Sequence, residues 1–430
     1  MPSKLPNELV DAIISSIPEK FECRSSEERQ ALLKCAVVCR NWLPPSRRVL
    51  FSAVELAGPE SWDSFVRWVV DEDEGRPWLA SIYCLTFKDQ WYRHVLDATN
   101  RPRGLIPEAI SKWRGQYVVP VLAGRLPNLE YLSLRGVHWD KREPHPATFG
   151  MFAQFTALRQ VRLDMCNFPS FSAFRRLLVS LPALKDLTCE DVHWPSAPQL
   201  SILSIQTGRP SLELLRLSLT CHSCALAVLE WLIHTPTRST LVELSLQPDW
   251  ALGPSRHQTR LPNRNLDYYA QIFGPSIRHA ALDQSDRAGD PRVRISLSSF
   301  ENLNSLALRI DGLDWKDVAD MLHLLPARLD SLAIDVPYPR TPMNSRDHLI
   351  KEDGELRAMK TRDLELLEPV LSRDNFEGLR ILTFHVHGHR DTLPSYREST
   401  LEAIRRKLPS LHMRAALNIQ LELIVNDEPL

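Results

Sequence analysis

Apolar residues near the start of the chain recur at three- and four-residue intervals. Leu5, Leu9, Val10, Ile13, Ile14 and Ile17 fall on one side of a helix that Pro18 ends. Pro6 sits where a first helical turn tolerates a missing N–H. A charged segment at about residues 19–28 follows, in which Ser25 and Glu28 have the spacing of a capping box and Ser26 is the alternative cap. A second helix is therefore predicted from near residue 26, carrying Ala31, Leu32, Leu33, Cys35, Ala36 and Val37. The apolar pattern continues through Val38, Cys39 and Trp42 to Pro44 and Pro45, which predicts a tight joint and a third short helix around residues 40–48. Three such helices enclose one small core, so apolar surface in excess of it points to a partner.

The period then changes. Phe51 to Leu56 reads as a strand, Trp62 to Val70 as a helix and Ile82 to Phe87 as another short strand, with no flexible linker before them. Beyond residue 120 a frame of the form L-x-x-L-x-L takes over. It occupies Leu129, Leu132, Leu134; Leu158, Val161, Leu163; Leu184, Leu187, Cys189; Leu212, Leu215, Leu217; and Leu241, Leu244, Leu246. It returns at Leu303, Leu306, Leu308; Leu329, Leu332, Ile334; and Leu379, Leu382, Phe384. The starts at 129, 158, 184, 212 and 241 are separated by 29, 26, 28 and 29 residues, the period of a leucine-rich strand-and-helix repeat.

In such a frame the last two hydrophobes alternate along a strand and point inward, while the residue between them points outward. Phe174 to Leu181, Ala225 to Ile233 and Trp315 to Leu325 are the expected helical returns. Stacked units predict an α/β solenoid with a curved, mainly parallel sheet and helices outside. The repetition is imperfect. Leu200, Leu203 and Ile205 fit the frame too closely to their neighbours, as a compressed unit, an insertion or a chance match. The 62 residues from Leu241 to Leu303 and the 50 from Leu329 to Leu379 each hold a degenerate repeat or a long loop. Residues 249–265 and 337–353 read as loops at a binding rim or as unordered surface insertions. Thr400 to Leu408 reads as a helix, and Leu417 to Val425 as a terminal strand that caps the stack.

The N-terminal pattern is also similar to a known family. LPNELVDAIISSI followed by ALLKCAVVCRNWLPPSRRVLFSAVEL resembles an F-box, and VCRNWLPPSRRVLF resembles the fungal F-box families in particular. The Leu-Pro-x-Glu opening is matched by Leu5, Pro6 and Glu8, and the Val-Cys-Arg-x-Trp close by Val38, Cys39, Arg40 and Trp42. The charged insertion is longer than a minimal F-box joint. The leucine frames resemble the divergent leucine-rich domains that follow fungal F-boxes. The resemblance implies an F-box over residues 1–50, a linking α/β unit over 51–120 and an irregular leucine-rich domain with its cap over 121–430. It implies that Leu5, Pro6, Leu9, Ile13, Leu33, Val37 and Trp42 contact a Skp-type adaptor, with Trp42 weighted most. Through that adaptor the chain would join a cullin-RING (SCF-type) ubiquitin ligase as its substrate-recognition subunit, in the cytoplasm or nucleus. The alternative is a non-catalytic scaffold or leucine-rich interaction module with no ubiquitination role.

Composition narrows the chemistry. Lys and Arg number 52 against 53 Asp and Glu, a net charge of -1, so no basic excess suggests nucleic acid. No run of about 18 apolar residues suggests a membrane span, and the mixed first residues do not resemble a signal peptide. The reading is intracellular. Eight cysteines are few, and Cys221-x-x-Cys224 has no second pair to complete a metal site. His385, His387 and His389 alternate without an acidic or thiol cluster at ligand spacing. No phosphate loop, metalloprotease helix or nucleophile elbow occurs. A non-enzymatic chain with no cofactor is expected. On the strand frames, Ser133, Arg162, Thr188, Arg216, Ser245, Ala307, Ala333 and Thr383 are the middle outward positions, with Arg162 and Arg216 as candidate charge anchors for a protein target. Trp139 and Trp194 occupy matching GVHW and DVHW contexts and are expected to pack.

Overall fold

The structure, a computed structural model, describes residues 6–17, 26–68, 76–88, 121–139, 146–194, 211–220, 222–247, 266–283, 295–310, 314–336, 361–388 and 393–425. Leu5, Cys221, His389, the frame at Leu200 and both expected rim loops lie outside the described residues. The chain divides into two compact units, Met1–Leu214 and Leu215–Leu430.

The first unit opens with helices α1 (Asn7–Ser15), α2 (Ser26–Val38) and α3 (Leu43–Ser52). Pro6 precedes α1, and its carbonyl accepts the N–H groups of Leu9 and Val10. It therefore caps the helix instead of entering its first turn. α3 starts later than the apolar pattern suggests and places Pro44 in its first turn, where a missing N–H costs nothing. Val10, Ile14 and Leu32 form the buried centre of this layer, with Ile17, Trp42, Val49 and Leu50 packed around them.

α3 leads into β1 (Ala53–Ala57) and α4 (Gly58–Val66), followed by β2 (Cys84–Lys88), β3 (Tyr131–Arg135), β4 (Gln160–Asp164), α5 (Phe171–Val179) and β5 (Asp186–Glu190). β1 to β5 pair in chain order and all parallel. One inward row runs Leu56, Phe87, Leu134, Leu163, Cys189, and all five are buried. The two strands expected in a linking segment thus continue the same sheet, and Ile82, Leu85 and Phe87 repeat the spacing of Leu129, Leu132 and Leu134.

After β3, β4 and β5 the chain turns through equivalent left-handed positions at Gly136, Met165 and Asp191, with φ of 70°, 51° and 51°. His138, Asn167 and His193 then form parallel bridges outside the strands. The turn drops Trp139 into the core, 4.5 Å from the ring of Phe168, and sets Trp194 against Phe171 at 5.0 Å and Phe174 at 5.6 Å. Both tryptophans pack, as their shared context suggests.

The second unit contains β6 (Arg216–Leu219), α6 (His222–Leu232), β7 (Glu243–Leu246), α7 (Leu266–Phe273), β8 (His279–Asp283), β9 (Ser305–Arg309), α8 (Trp315–His323), β10 (Ser331–Val336), α9 (Leu367–Leu371), β11 (Ile381–Gly388), α10 (Leu393–Lys407) and β12 (Asn418–Val425). β6 to β12 again pair in chain order and parallel. Helical returns separate most strands, which is the arrangement a parallel crossover requires.

Two details of the repeat frame are corrected. Leu217 and Leu219 align with Leu244 and Leu246, so the frame at β6 is Leu214, Leu217, Leu219, two residues later than Leu212, Leu215, Leu217. Leu214, Leu217 and Leu219 are buried while Leu215 is exposed. The interval after Leu241 contains a degenerate repeat on β8, where Ile277, Ala280 and Leu282 are buried. The interval after Leu329 adds no strand to the pairing, since β10 bonds β11 directly; its described part beyond β10 is two 3₁₀ segments with α9 between them, burying Leu364, Leu367, Leu371 and Phe376.

Candidate docking face on the N-terminal helices

α1 and α2 are too short to be stable alone and depend on burying one stripe each. That stripe is Val10 and Ile14 on α1 and Leu32 on α2. Each helix carries a second apolar pair four residues apart beside it. Leu9 is 51% and Ile13 42% exposed on α1; Leu33 is 52% and Val37 83% exposed on α2, with Val38 at 62%. Isolated exposed leucines are ordinary, but two i, i+4 pairs on neighbouring helices of one small layer are aliphatic surface that the layer's own core does not use. Pro6 is also exposed.

Trp42 differs from this set in its burial. It is half-buried against the Val10–Ile14–Leu32 core, and its carbonyl accepts the N–H of Ser46 in α3. Its large ring therefore orients α3 on α1 and α2. Val38, read only as part of the motif's close, is the exposed residue that an interface list from the resemblance leaves out. Its signal was its place one residue past the Leu33–Val37 pair.

The outward sheet face of the first unit is crossed by ion pairs. Lys88 Nζ lies 2.7 Å from Glu55, Arg135 Nε 2.6 Å from Asp164, and Arg162 Nη2 2.8 Å from Glu190. Gln160 donates to Asp186 at 2.6 Å. Arg162 is thus engaged within its own sheet. Partial burial works against its charge, and the hydrogen bond and negative charge of Glu190, with smaller contributions from Tyr131 and Asp164, outweigh this and hold its pKa above the ordinary value.

In the second unit, the frame correction moves Arg216 from the middle outward row to the first. It remains exposed and outward, because a shift of two keeps the strand face, and it stands in register with Glu243. The middle row instead reads Ser218, Ser245, Ala281, Ala307, Ala333 and Thr383 across adjacent strands. Beside it, Asp283 faces Arg309, His385 Nε2 lies 3.2 Å from Glu422, and His387 Nε2 lies 2.7 Å from Asp335. The two histidines share one face of β11 and reach opposite ways, one to each neighbouring strand. Among the described residues no group of three or more His, Cys, Asp or Glu is arranged to hold a metal ion, and no helix is long and apolar enough to cross a membrane.

The fold is leucine-rich-repeat-like. Within each unit the strands run parallel in chain order, with their leucines in register on the buried face. Among solved structures, the leucine-rich repeat-containing protein LegL7 from Legionella pneumophila aligns with 14% identity over 81% of this chain and 76% of its own, with a TM-score of 0.34. The LRR protein LIC12759 of Leptospira interrogans aligns with 13% identity over 91% and 97%, with a TM-score of 0.21. No family model matches the chain, and no curated protein does.

Proposed function

We propose that this chain is a non-catalytic protein-interaction module that docks one protein through its N-terminal helices and presents its leucine-rich sheet to another. The observation that carries the reading is the aliphatic surface of Leu9, Ile13, Leu33 and Val37, set beside a core that is complete without it. A binding role needs no catalytic group, and its energy would come from desolvating those side chains at the centre of an interface. For the second partner, the small middle row of the second unit lets a protein approach the strands closely, beside the row of Asp283, Arg309, Asp335 and His385, whose charges would fix its register.

The finer reading is that the docked protein is a Skp-type adaptor and that the chain recruits a protein substrate to a cullin-RING ubiquitin ligase. What favours it is the match of Leu5, Pro6 and Glu8 and of Val38, Cys39, Arg40 and Trp42 to the F-box pattern, on helices that leave Leu9, Ile13, Leu33 and Val37 exposed between them. In that role the chain would raise the local concentration of a target lysine and supply no nucleophile.

The test is co-expression with the adaptor, read by size-exclusion chromatography with light scattering, using wild type and Leu9→Asp/Val37→Asp. A one-to-one complex lost in the folded double variant is the expected result. Absence of a complex between well-folded wild-type chain and adaptor sinks the ligase reading and leaves the interaction module with another partner. A complex that the double variant retains removes the proposed docking face.

A further inference from the structure

Two thiols stand at the edge of the docking face. α2 ends at Val38; Cys35 lies half-buried in its last turn and Cys39 is exposed one residue beyond it. Between them stand Val37 and Val38, the two most exposed aliphatic residues of the face. Cys84, Cys166 and Cys189 are buried, so among the cysteines whose side chains are described these two alone are within reach of a solution oxidant.

Their spacing is the decisive feature. Residues four apart on a helix have Cα atoms about 6.2 Å apart from its rise and radius, inside the range of roughly 4.4–6.8 Å that a disulfide spans. Their Cβ atoms lie about 5–6 Å apart in a regular helix, while a disulfide needs about 3.5–4.5 Å. Closing that gap within a helix interior would break backbone hydrogen bonds. Here one partner already lies past the last helical residue, where the chain turns toward α3 and Trp42 donates its N–H to the Cys39 carbonyl. The adjustment falls on a joint, and the segment it pulls is Val37–Val38.

We infer that Cys35 and Cys39 form a thiol pair that peroxide closes into a disulfide, remodelling the Val37–Val38 surface and releasing the protein docked there. The reaction balances with hydrogen peroxide as oxidant: one thiolate attacks a peroxide oxygen, giving a sulfenic acid and water. The second thiolate displaces the hydroxyl from that sulfur, giving the disulfide and a second water. Two thiols lose two electrons and two protons overall, and a dithiol reductant restores them. The consequence for docking rests on the function proposed above, whereas the disulfide itself does not.

The experiment treats the full-length chain with hydrogen peroxide, blocks remaining thiols and maps the peptides. In parallel it measures adaptor affinity of reduced and oxidised protein for wild type, Cys35→Ser and Cys39→Ser, each variant serving as its own reduced control. The expected result is a Cys35–Cys39 disulfide, reversed by dithiothreitol, with at least a tenfold loss of affinity on oxidation in wild type and no oxidation-dependent loss in either variant. Only over-oxidised cysteines, pairing with other cysteines or pairing between molecules overturns the inference. A disulfide that forms and leaves affinity unchanged also overturns it. If the reduced wild type binds no adaptor, the adaptor reading fails, and the thiol pair is then judged on the peptide map and on whether oxidation alters protease cleavage beside Val37 and Val38.

Discussion

Arg162 on β4 reaches to Glu190 on the adjacent strand β5, its Nη2 2.8 Å from the carboxylate Oε2, with both side chains about one-third exposed. Water competes for a pair this open, so its net contribution is small, under about 1 kcal/mol. A double-mutant cycle of Arg162→Ala and Glu190→Ala, read by urea unfolding, is expected to give a coupling energy below that figure. A coupling near 3 kcal/mol would instead make the pair a structural element of the sheet.

The N-terminal helices set apart residues that alternate closely in sequence. Leu9 and Val37 are exposed, whereas Ile14 is fully buried in the Val10–Ile14–Leu32 core. Leu9→Asp and Val37→Asp are expected to change unfolding free energy by less than about 0.5 kcal/mol each, and Ile14→Ala to cost about 2–5 kcal/mol. Trp42→Ala belongs with the second class, since its ring packs on that core. If Leu9→Asp melts the helices in circular dichroism, the exposed pair is not available for docking.

Why some of this was legible in the sequence and some not has a physical reason. Period-two and period-four patterns report which side chains face a core, and they placed β3, β4, β5, β7, β9, β10, β11 and α1 correctly. They fail where two frames overlap. In LELLRLSL, residues 212–219, leucines at 212, 215 and 217 satisfy the frame as well as those at 214, 217 and 219. Only pairing with Leu244 and Leu246 selects the second. β8 was hidden because Ala280 occupies a leucine position; β1 and β2 were legible as strands, but their membership of the repeat sheet was not, because Cys84 and Phe87 in β2 and the single leucine of β1 break the leucine spelling. The F-box resemblance, not periodicity, singles out the exposed positions Leu9, Ile13, Leu33 and Val37, and neither reveals that Trp42 packs on the core.

Cys166 lies wholly buried behind β3 and β4, where its Sγ–H is 3.3 Å from the Leu134 carbonyl. Burial pushes its thiol pKa up to about 12. A pKa raised in the folded state means that the folded chain holds its proton while the unfolded chain loses it. The resulting stability is fully present below the unfolded thiol's value of 9.0 and is lost as pH rises from there toward about 12. Wild type is expected to lose up to about 1.4 kcal/mol per pH unit more steeply than Cys166→Ala across that window, measured by urea unfolding between pH 8 and 10.5. Parallel slopes would remove the assignment.

Ser46 on α3 is fully buried and its hydroxyl has no hydrogen-bond partner among the described residues. A buried hydroxyl that gave up water and gained nothing costs about 1–3 kcal/mol. Ser46→Ala removes the polar atom and leaves only a small void, so a rise in stability of about 1 kcal/mol is expected. Thr400 on α10 is buried with its Oγ1 likewise unpartnered, and Thr400→Val, which keeps the shape, is expected to act in the same direction. A loss of stability in both variants would show that each hydroxyl is satisfied in solution.

Met165 is the clearest conflict between residue type and backbone. Its φ of 51° is shared by the equivalent turn after the next strand, and the matching position after β3 is glycine. The conformation is imposed by the repeat: Gly136 N–H donates to the Asp164 carbonyl and Met165 N–H to the Glu190 carbonyl, both at 2.8 Å, so each turn is tied to the strand beside it. A Cβ in the left-handed region crowds the following carbonyl and costs about 1–2 kcal/mol. Comparing Met165→Gly with Met165→Ala cancels the lost thioether side chain and leaves only the backbone preference. Glycine is expected to exceed alanine in stability by about 1 kcal/mol at this site, the reverse of their order inside a helix or strand. Gly136→Ala is expected to lose a similar amount. Thermal or urea unfolding of the three variants decides it, and alanine equal to glycine at residue 165 would mean that the turn relaxes out of the left-handed region and that the tie to Glu190 does not hold it there.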